Sequence, residues 1–240
     1  MEKKFILTDK FVINSFGIKL FQIKCTKSFK YAQKGDFGGY VEKEGNLDQE
    51  NDAWVFGNAR VFGNARVSSN ARVSGDAWVS DNAWVFGNAR VFGNARVSSN
   101  ARVSGDAWVS DNARVSGDAW VSDNARVSGD AWVSGDALVS SNARVSGDAR
   151  VFGNARVSGD ADIENDNEHC GFDGFGSCNR HTHAYMTKEK KVEIICGCFR
   201  GSIEEFEKKV EETHSGTVYE KQYKSIINVI KIKFGLTDFT

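Results

Sequence analysis

The chain sets its fold in the stretch Ala53-Trp54-Val55-Phe56-Gly57-Asn58, whose pattern returns every six residues as far as Ile163. An aliphatic residue stands at every sixth position from Val55 onward, nineteen times in all, and an alanine stands two residues before each. Because side chains alternate between the two faces of a strand, the Ala and Val of a unit share one face. The Gly, Ser or Asp and the Asn or Asp that follow tolerate left-handed backbone angles and predict a corner. Strand and corner, repeated without interruption, indicate a solenoid.

The six-residue period also predicts the shape of each coil. Three sides of six residues close a triangular turn of 18 residues, so the repeat predicts about six coils and a prism roughly 30 Å long at ~4.8 Å per coil. Inward valines and alanines fill a narrow interior, and each buried Val-sized side chain contributes ~1.5–3 kcal/mol. We therefore expect a mainly β fold with parallel strands.

The unit resembles the hexapeptide repeat of left-handed parallel β-helix proteins, and the resemblance covers residues 53–163. The element Gly38-Gly39-Tyr40-Val41, followed by Asn46-Leu47 and Asp52-Ala53-Trp54-Val55, resembles a family of bacterial and phage β-helix proteins. The left hand of the coil is implied by the resemblance, because parallel crossovers are otherwise nearly always right-handed. The resemblance also implies a homo-oligomer, a dimer or trimer.

The flanking segments predict three further parts. Residues 1–52 form an N-terminal β cap and lead-in, with strands at Phe5–Val12 and Ile18–Ile23 in a hairpin. Residues 164–179 are polar and Gly-rich and predict a linker. Residues 180–240 predict a C-terminal ββαα module, an α+β unit in which a capping box at Ser202–Glu205 opens the first helix and Tyr219–Phe234 forms the second. The stretch from Cys196 to Ser202 resembles a small module of phage-encoded proteins.

Charge and composition narrow the classes of function. The chain has 31 Lys and Arg against 32 Asp and Glu, a net charge of −1, and no section carries the basic excess expected of a nucleic-acid binder. No 18-residue apolar span is present, so we expect no membrane association. Five cysteines without a secretory leader favour a reducing cytoplasm.

Hexapeptide β-helices are best known as acyltransferases, which use a histidine base and a loop inserted between coils. Here the nineteen units run without an insertion, and no histidine precedes His169. We therefore expect a non-enzymatic scaffold without a cofactor. The alternative is an acyltransferase-like enzyme with an inter-subunit site that uses His181, His183 or His214.

Outward residues form three columns when the coils stack. The first side carries Trp54, Arg72, Arg90, Trp108, Arg126 and Arg144. The second side carries Arg60, Trp78, Arg96, Arg114, Trp132 and Arg150. The third side carries Arg66, Trp84, Arg102, Trp120, Leu138 and Arg156. Guanidinium groups ~4.8 Å from indole faces form cation–π stacks of ~0.5–1 kcal/mol.

The columns have two interpretations: ladders that stabilise coil stacking, or a surface for a partner. Trp and Arg are enriched at binding hot spots, and outward Phe residues cluster in the first coils. The partner-binding candidates are Trp54, Trp78, Trp84, Trp108, Trp120, Trp132, Arg96, Arg102, Phe56 and Phe92. We expect a host protein as partner of a phage or prophage accessory protein, which could inhibit a defence system. A nucleotide or nucleic-acid binder using the Arg/Trp ladders is a further alternative.

A longer duplication lies inside the repeat. Residues 55–84 and 85–114 are identical except for Trp84 against Arg114. Thirty residues are five units, which is not a multiple of three, so each outward residue of the second copy moves to another side. This favours a generic exterior over a site that spans several coils.

Cysteines and histidines after residue 164 are the remaining candidates. Zinc could be held by a subset of Cys170, Cys178, His181, His183, Cys196, Cys198 and His214. The spacing is not the paired Cys-x-x-Cys of a zinc ribbon, and Cys196, Cys198 and His214 are the weak candidates. Val192, Ile194, Cys196 and Cys198 alternate onto one strand face, which instead predicts two buried thiols.

Overall fold

The computed structural model describes residues 2–236. The fold is mainly β: a parallel β-solenoid of about seven turns lies between an N-terminal antiparallel cap and a C-terminal region with a four-stranded sheet and two helices. The cap contains β1 (Phe5–Ile13), β2 (Lys19–Cys25) and β3 (Phe37–Val41).

Nineteen two-residue strands form the repeat. They are β4 (Trp54–Val55), β5 (Arg60–Val61), β6 (Arg66–Val67), β7 (Arg72–Val73), β8 (Trp78–Val79), β9 (Trp84–Val85), β10 (Arg90–Val91), β11 (Arg96–Val97), β12 (Arg102–Val103), β13 (Trp108–Val109), β14 (Arg114–Val115), β15 (Trp120–Val121), β16 (Arg126–Val127), β17 (Trp132–Val133), β18 (Leu138–Val139), β19 (Arg144–Val145), β20 (Arg150–Val151), β21 (Arg156–Val157) and β22 (Asp162–Ile163). Every third strand pairs in parallel, which produces three sheets.

The pairing confirms the 18-residue turn. Trp54 pairs with Arg72, and Arg90 pairs with Trp108, so the three outward columns are those expected from the sequence. The backbone N–H of Arg90 donates to the carbonyl of Ala107 at 2.9 Å, and this bond recurs at the other outward positions. The repeated alanines and valines are buried throughout. The core is therefore the predicted stack of small aliphatic side chains.

A lead-in turn before the repeat explains why the solenoid has about seven turns where the repeat alone predicts about six. Tyr40 pairs with Arg60 and Leu47 with Val67, both in parallel and with a 20-residue spacing. The lead-in strand lies very close to the next coil: a Cβ at Gly39 would lie 2.7 Å from the Ala59 carbonyl oxygen. This close approach accounts for the Gly-Gly pair in β3.

The C-terminal region begins earlier than predicted. A 3₁₀ turn at Asp166–Glu168 and strand β23 (His169–Phe175) occupy the segment 164–179 that the sequence predicts as a linker. Gly171 lets a neighbouring ring lie over this strand, since a Cβ there would lie 2.7 Å from His181 Cε1. The glycines therefore serve close packing within a strand, which composition alone does not distinguish from a linker.

The remaining elements are β24 (Arg180–Met186), β25 (Val192–Cys196), β26 (Phe199–Gly201), α1 (Ile203–His214) and α2 (Val218–Lys233). Ser202 accepts from Glu205 N–H and the Glu205 carboxylate accepts from Ser202 N–H, which confirms the predicted capping box. No helix within residues 2–236 is long and apolar enough to cross a bilayer.

The four-stranded sheet lies between the last solenoid turn and the two helices. Tyr185 and Ile195 pack into the solenoid core, whereas Ala184 and Ile194 pack against the helices, because neighbouring residues of a strand face opposite sides. The sheet thus closes the C-terminal end of the solenoid.

Candidate functional site

Three tryptophans of the solenoid present their indole rings to solvent. Trp84 and Trp120 are 41 % exposed and Trp132 is 43 % exposed. The Nε1–H of Trp84 donates to the Ser68 hydroxyl at 3.0 Å, and that of Trp120 donates to the Ser104 hydroxyl at 2.9 Å. Trp132 makes the same bond to Ser116. Each ring is therefore held against the preceding coil, with Nε1 satisfied and much of the ring accessible.

Trp108 and Trp78 lie between arginines of the coils above and below. Over the Trp108 ring, the Arg90 guanidinium carbon is 4.9 Å and that of Arg126 is 4.8 Å from the centroid. Around Trp78 the corresponding distances are 5.3 Å for Arg60 and 5.2 Å for Arg96. The predicted cation–π stacking is confirmed at these two positions. Arg102 is exposed between Trp84 and Trp120 in the third column.

The solenoid arginines do not pair with the solenoid aspartates. Among the arginines of residues 2–236, Arg200 alone forms a salt bridge. The corner aspartates instead accept backbone bonds from the next coil, as Asp81 does from Ser99 N–H at 3.0 Å. Arg72 stacks over Tyr31 at 4.9 Å, and its buried Nε has no hydrogen-bond partner. The solenoid arginines therefore have no carboxylate partner among the described residues, which leaves guanidinium donors available to a ligand.

The prediction that Trp54 binds a partner is wrong, because its side chain is buried. It is 1 % exposed and packs with Phe29 at 5.3 Å and Phe5 at 6.3 Å between ring centroids. Its position in the column points outward, but the N-terminal cap covers that part of the first side. Its role is to join the cap to the solenoid.

Three other candidates meet in a groove on the first side. Phe56, Phe92 and Trp108 line it together with Arg72 and Arg90, and the cavity has a volume of about 440 Å³. Phe92 and Trp108 meet edge to face with ring centroids 6.0 Å apart. Phe56 is half-buried against the core. The groove combines aromatic walls with cationic groups, a composition suited to an aromatic or anionic group of a ligand.

A second site lies where the four-stranded sheet meets the last coil. Four residues, His169, His181, His183 and Asp173, line a cavity of about 250 Å³ together with Arg150. His183 Nδ1 is 2.8 Å from the carbonyl oxygen of Arg156, and its Nε2 is 3.1 Å from His169 Nδ1. His181 Nδ1 is 2.8 Å from Asp173 Oδ1.

The hydrogen-bond partners determine the tautomers of two imidazoles. A carbonyl only accepts, so His183 carries its proton on Nδ1 and accepts at Nε2 from His169 Nδ1–H. Burial lowers the pKa of His183 to about 3 and also lowers the pKa of His169, so both rings are neutral at pH 7. The buried Nε2 lone pair of His169 has no hydrogen-bond partner, and Asp166 Oδ1 lies 3.9 Å from it. Such an oriented lone pair can accept a proton or a hydrogen bond.

The sequence analysis named His181 and His183 but missed His169. The signal was available as the alternation His169-x-Gly171-x-Asp173, which places these residues on one strand face opposite His181-x-His183. It was obscured because the segment reads as a Gly-rich linker.

The prediction of two buried thiols is confirmed for Cys196 and is wrong for Cys198. Cys196 is buried and its Sγ accepts from the Thr182 hydroxyl at 3.2 Å, but Cys198 is exposed. The strand ends at Cys196, and Gly197 turns the chain with a φ of 62°, so the alternation does not continue. His214 stacks on the Tyr223 ring. Within the described residues, no three His, Cys, Asp or Glu side chains are arranged to hold a metal ion.

Comparison with known proteins identifies one repeat family. The family model of the YdcK Beta solenoid repeat matches residues 65–81, 89–105, 95–111, 107–123, 119–135 and 149–161, which together are less than half of the chain. The matches lie within the predicted repeat and support its assignment as a β-solenoid. A search of curated proteins found no match.

Proposed function

We propose that the protein is a non-enzymatic interaction protein, in which a rigid solenoid presents an aromatic–arginine surface to a protein partner. One combination of features carries this proposal: the indole rings of Trp84, Trp120 and Trp132 are partly exposed, and the solenoid arginines form no salt bridge among the described residues. Aromatic rings with pre-set orientations bind at a low entropic cost, and Trp and Arg dominate binding hot spots.

The solenoid would act as a spacer with a left-handed coil of hexapeptide units. The unbroken six-residue period and the small inward side chains support this geometry, together with the resemblance to hexapeptide proteins. The same resemblance supports a homo-oligomer and a phage or prophage accessory role in the host cytoplasm, with a host protein, such as one of a defence system, as the partner.

The proposal is tested with a variant that removes only the exposed rings, Trp84→Ala/Trp120→Ala/Trp132→Ala. These side chains are outside the core, so the thermal unfolding temperature should stay close to that of the wild type. Capture of partner proteins from host lysate should be lost. The matched control is Val229→Ala, which removes a 48 % exposed side chain from α2. Unchanged capture by the triple variant would contradict the proposal.

A second candidate is the acyltransferase-like enzyme, which one observation favours: the unpartnered Nε2 of His169 in a cavity. The base would be His169 or His181, whose Nε2 is also buried without a partner, because both nitrogens of His183 are engaged and His214 lies elsewhere. Turnover of an acyl-donor thioester by the wild type, abolished in His169→Gln, would establish this function.

The nucleotide-binding alternative depends on the Arg/Trp columns. The solenoid also carries corner aspartates, whose negative charge weakens the attraction for a polyanion. Binding of single-stranded DNA that falls steeply between 50 and 200 mM salt would favour this alternative.

A further inference from the structure

The 30-residue duplication copies a small aromatic site from one side of the solenoid to the next. We define the first notch as Arg60, Phe62 and Trp78, whose duplicates Arg90, Phe92 and Trp108 form the second notch. The Phe and Trp rings are 5.8 Å apart at 78° in the first notch and 6.0 Å apart at 77° in the second. The site is local to two adjacent coils, so the change of side preserves it.

The two notches differ in what covers them. In the first, Phe16 at the tip of the β1–β2 hairpin lies 6.2 Å from Phe62 and 6.3 Å from Trp78 between ring centroids. Leu20 and Tyr40 complete the cover, and Phe62 is only 4 % exposed. The first notch therefore contacts an aromatic side chain at a hairpin tip, and Phe16 itself stays 70 % exposed there.

The second notch has no such cover and opens into the groove on the first side. Phe92 is half-buried where its duplicate Phe62 is buried. Arg72 stands where Tyr40 stands in the first notch, because Tyr40 pairs with Arg60 as Arg72 pairs with Arg90, and it adds a second guanidinium beside Arg90. Its buried Nε has no partner.

We propose that the second notch docks an aromatic side chain at a loop or hairpin tip of a partner protein, with an acidic residue beside it. The covered first notch supports the aromatic group, and the two guanidinium groups without carboxylate partners support the acidic one. This inference rests on the proposed function and names the chemistry of its partner.

The hairpin of a second copy fits less well. Lys19 lies three residues after the Phe16 tip, and Lys19 Nζ is 3.8 Å from the Phe11 ring centroid. Docking this hairpin in the second notch would bring Lys19 toward Arg72 and Arg90, which is unfavourable.

The probe is a peptide with the sequence of residues 11–21 and Lys19→Glu, cyclised by a disulfide between two cysteines added at its ends. It keeps the Phe16 tip and places an acid near it. Cyclisation is needed because an isolated two-stranded hairpin is marginally stable. The comparison peptides carry Phe16→Ala or keep Lys19. Calorimetric titration of the full chain measures binding.

Binding should be at least about 10-fold weaker in Trp108→Ala, the loss that removal of a hot-spot ring produces. The matched control Phe152→Ala, which removes a 64 % exposed ring outside both notches, should change it less than about 2-fold. Arg90→Glu leaves the rings in place and should reverse the preference toward the Lys19 peptide. This charge variant keeps the test informative if Trp108→Ala fails to fold.

Several outcomes would overturn the inference. These are equal binding of the Phe16→Ala peptide, equal binding to Trp108→Ala, or no binding at millimolar peptide. Competition by a nucleotide that requires Trp108, or a wild-type dimer that Trp108→Ala converts to a monomer, would assign the notch to another occupant. If Trp108→Ala retains the partner that the triple tryptophan variant loses, this inference fails while the proposed function stands.

Discussion

The imidazole Nδ1–H of His183 donates a 2.8 Å hydrogen bond to the carbonyl oxygen of Arg156 in the last full coil of the solenoid. The Tyr185 hydroxyl donates to the Ser158 carbonyl at 3.2 Å two residues further along. Carbonyls at the end of a parallel solenoid have no following coil to donate to them. The C-terminal sheet supplies these donors and so covers an open sheet edge.

The stability of this end of the molecule should fall in mild acid. The folded-state pKa of His183 is about 3, below the ordinary 6.5, because burial favours the neutral ring. A histidine whose pKa is lowered by folding stabilises the folded state at pH values above its pKa in the unfolded chain. This stabilisation is lost as the pH falls from 6.5 toward 3. Between pH 7.5 and pH 5, His183 alone should cost up to about 2 kcal/mol. Urea unfolding at both pH values measures this loss.

The matched variant for the acid effect is His183→Gln. Glutamine does not titrate, and its amide can still donate to the Arg156 carbonyl. We expect lower stability at pH 7.5 but a clearly smaller change at pH 5. An unchanged pH dependence in this variant would assign the acid sensitivity to other groups.

The two kinds of outward tryptophan should differ sharply in stability. Trp54→Ala removes a buried ring that contacts Phe5 and Phe29 and should cost about 3–5 kcal/mol. Trp120→Ala removes a ring that is 41 % exposed and should cost less than about 1 kcal/mol. Thermal unfolding of the two variants provides the comparison. Equal losses of stability would mean that the exposed Trp120 ring contributes as much to folding as the buried Trp54 ring.

Corner glycines that touch the next coil should tolerate alanine less well than corner glycines that do not, although Ser or Asp stands at other corners of this kind. A Cβ at Gly105 would lie 2.8 Å from Asp123 N, whereas a Cβ at Gly153 would meet nothing within 4 Å. Both residues have left-handed φ angles, 64° and 65°, so substitution by alanine destabilises the backbone by about 1–2 kcal/mol at each position. Gly105→Ala should therefore be destabilised by a further ~1–3 kcal/mol. Equal chemical-denaturation midpoints would show that the coils separate freely to admit a methyl group.

The sequence predicted the solenoid register because its signal is periodic. A six-residue unit with Ala and Val on one face leaves one way to bury both, and the pairing of Arg90 with Trp108 follows from it. The start of α1 after Ser202 could be predicted for a similar reason, because a capping box is formed by residues only three positions apart.

Features that depend on contacts distant in sequence were not predicted. Trp54 has the same position in its unit as Trp120, and only the cap residues Phe5 and Phe29 make it buried. His169 was missed because its importance comes from His183, which lies on another strand. The cover on the first notch likewise requires the hairpin tip to reach Trp78, a relationship that no six-residue pattern contains.

Removing the C-terminal region should convert the solenoid end into an association surface. A chain that ends at Ile163 loses the donors of His183 and Tyr185, and Arg150 N–H loses its acceptor Asp166 Oδ1. Unpaired strand edges of this kind associate with one another. We expect concentration-dependent oligomers by light scattering, where the full chain is unaffected by concentration in the same range.

The matched control for this truncation is the same shortened chain with Phe152→Pro. Proline removes an amide donor from the last coil and blocks edge pairing there. Oligomers should then become fewer, while a surface that associates through exposed apolar side chains would be little affected. A shortened chain that keeps the oligomeric state of the full chain, with unchanged unfolding, would contradict the capping role of the sheet. Point variants such as Trp108→Ala are therefore better suited than deletions to partner-binding experiments, because they leave the cap in place.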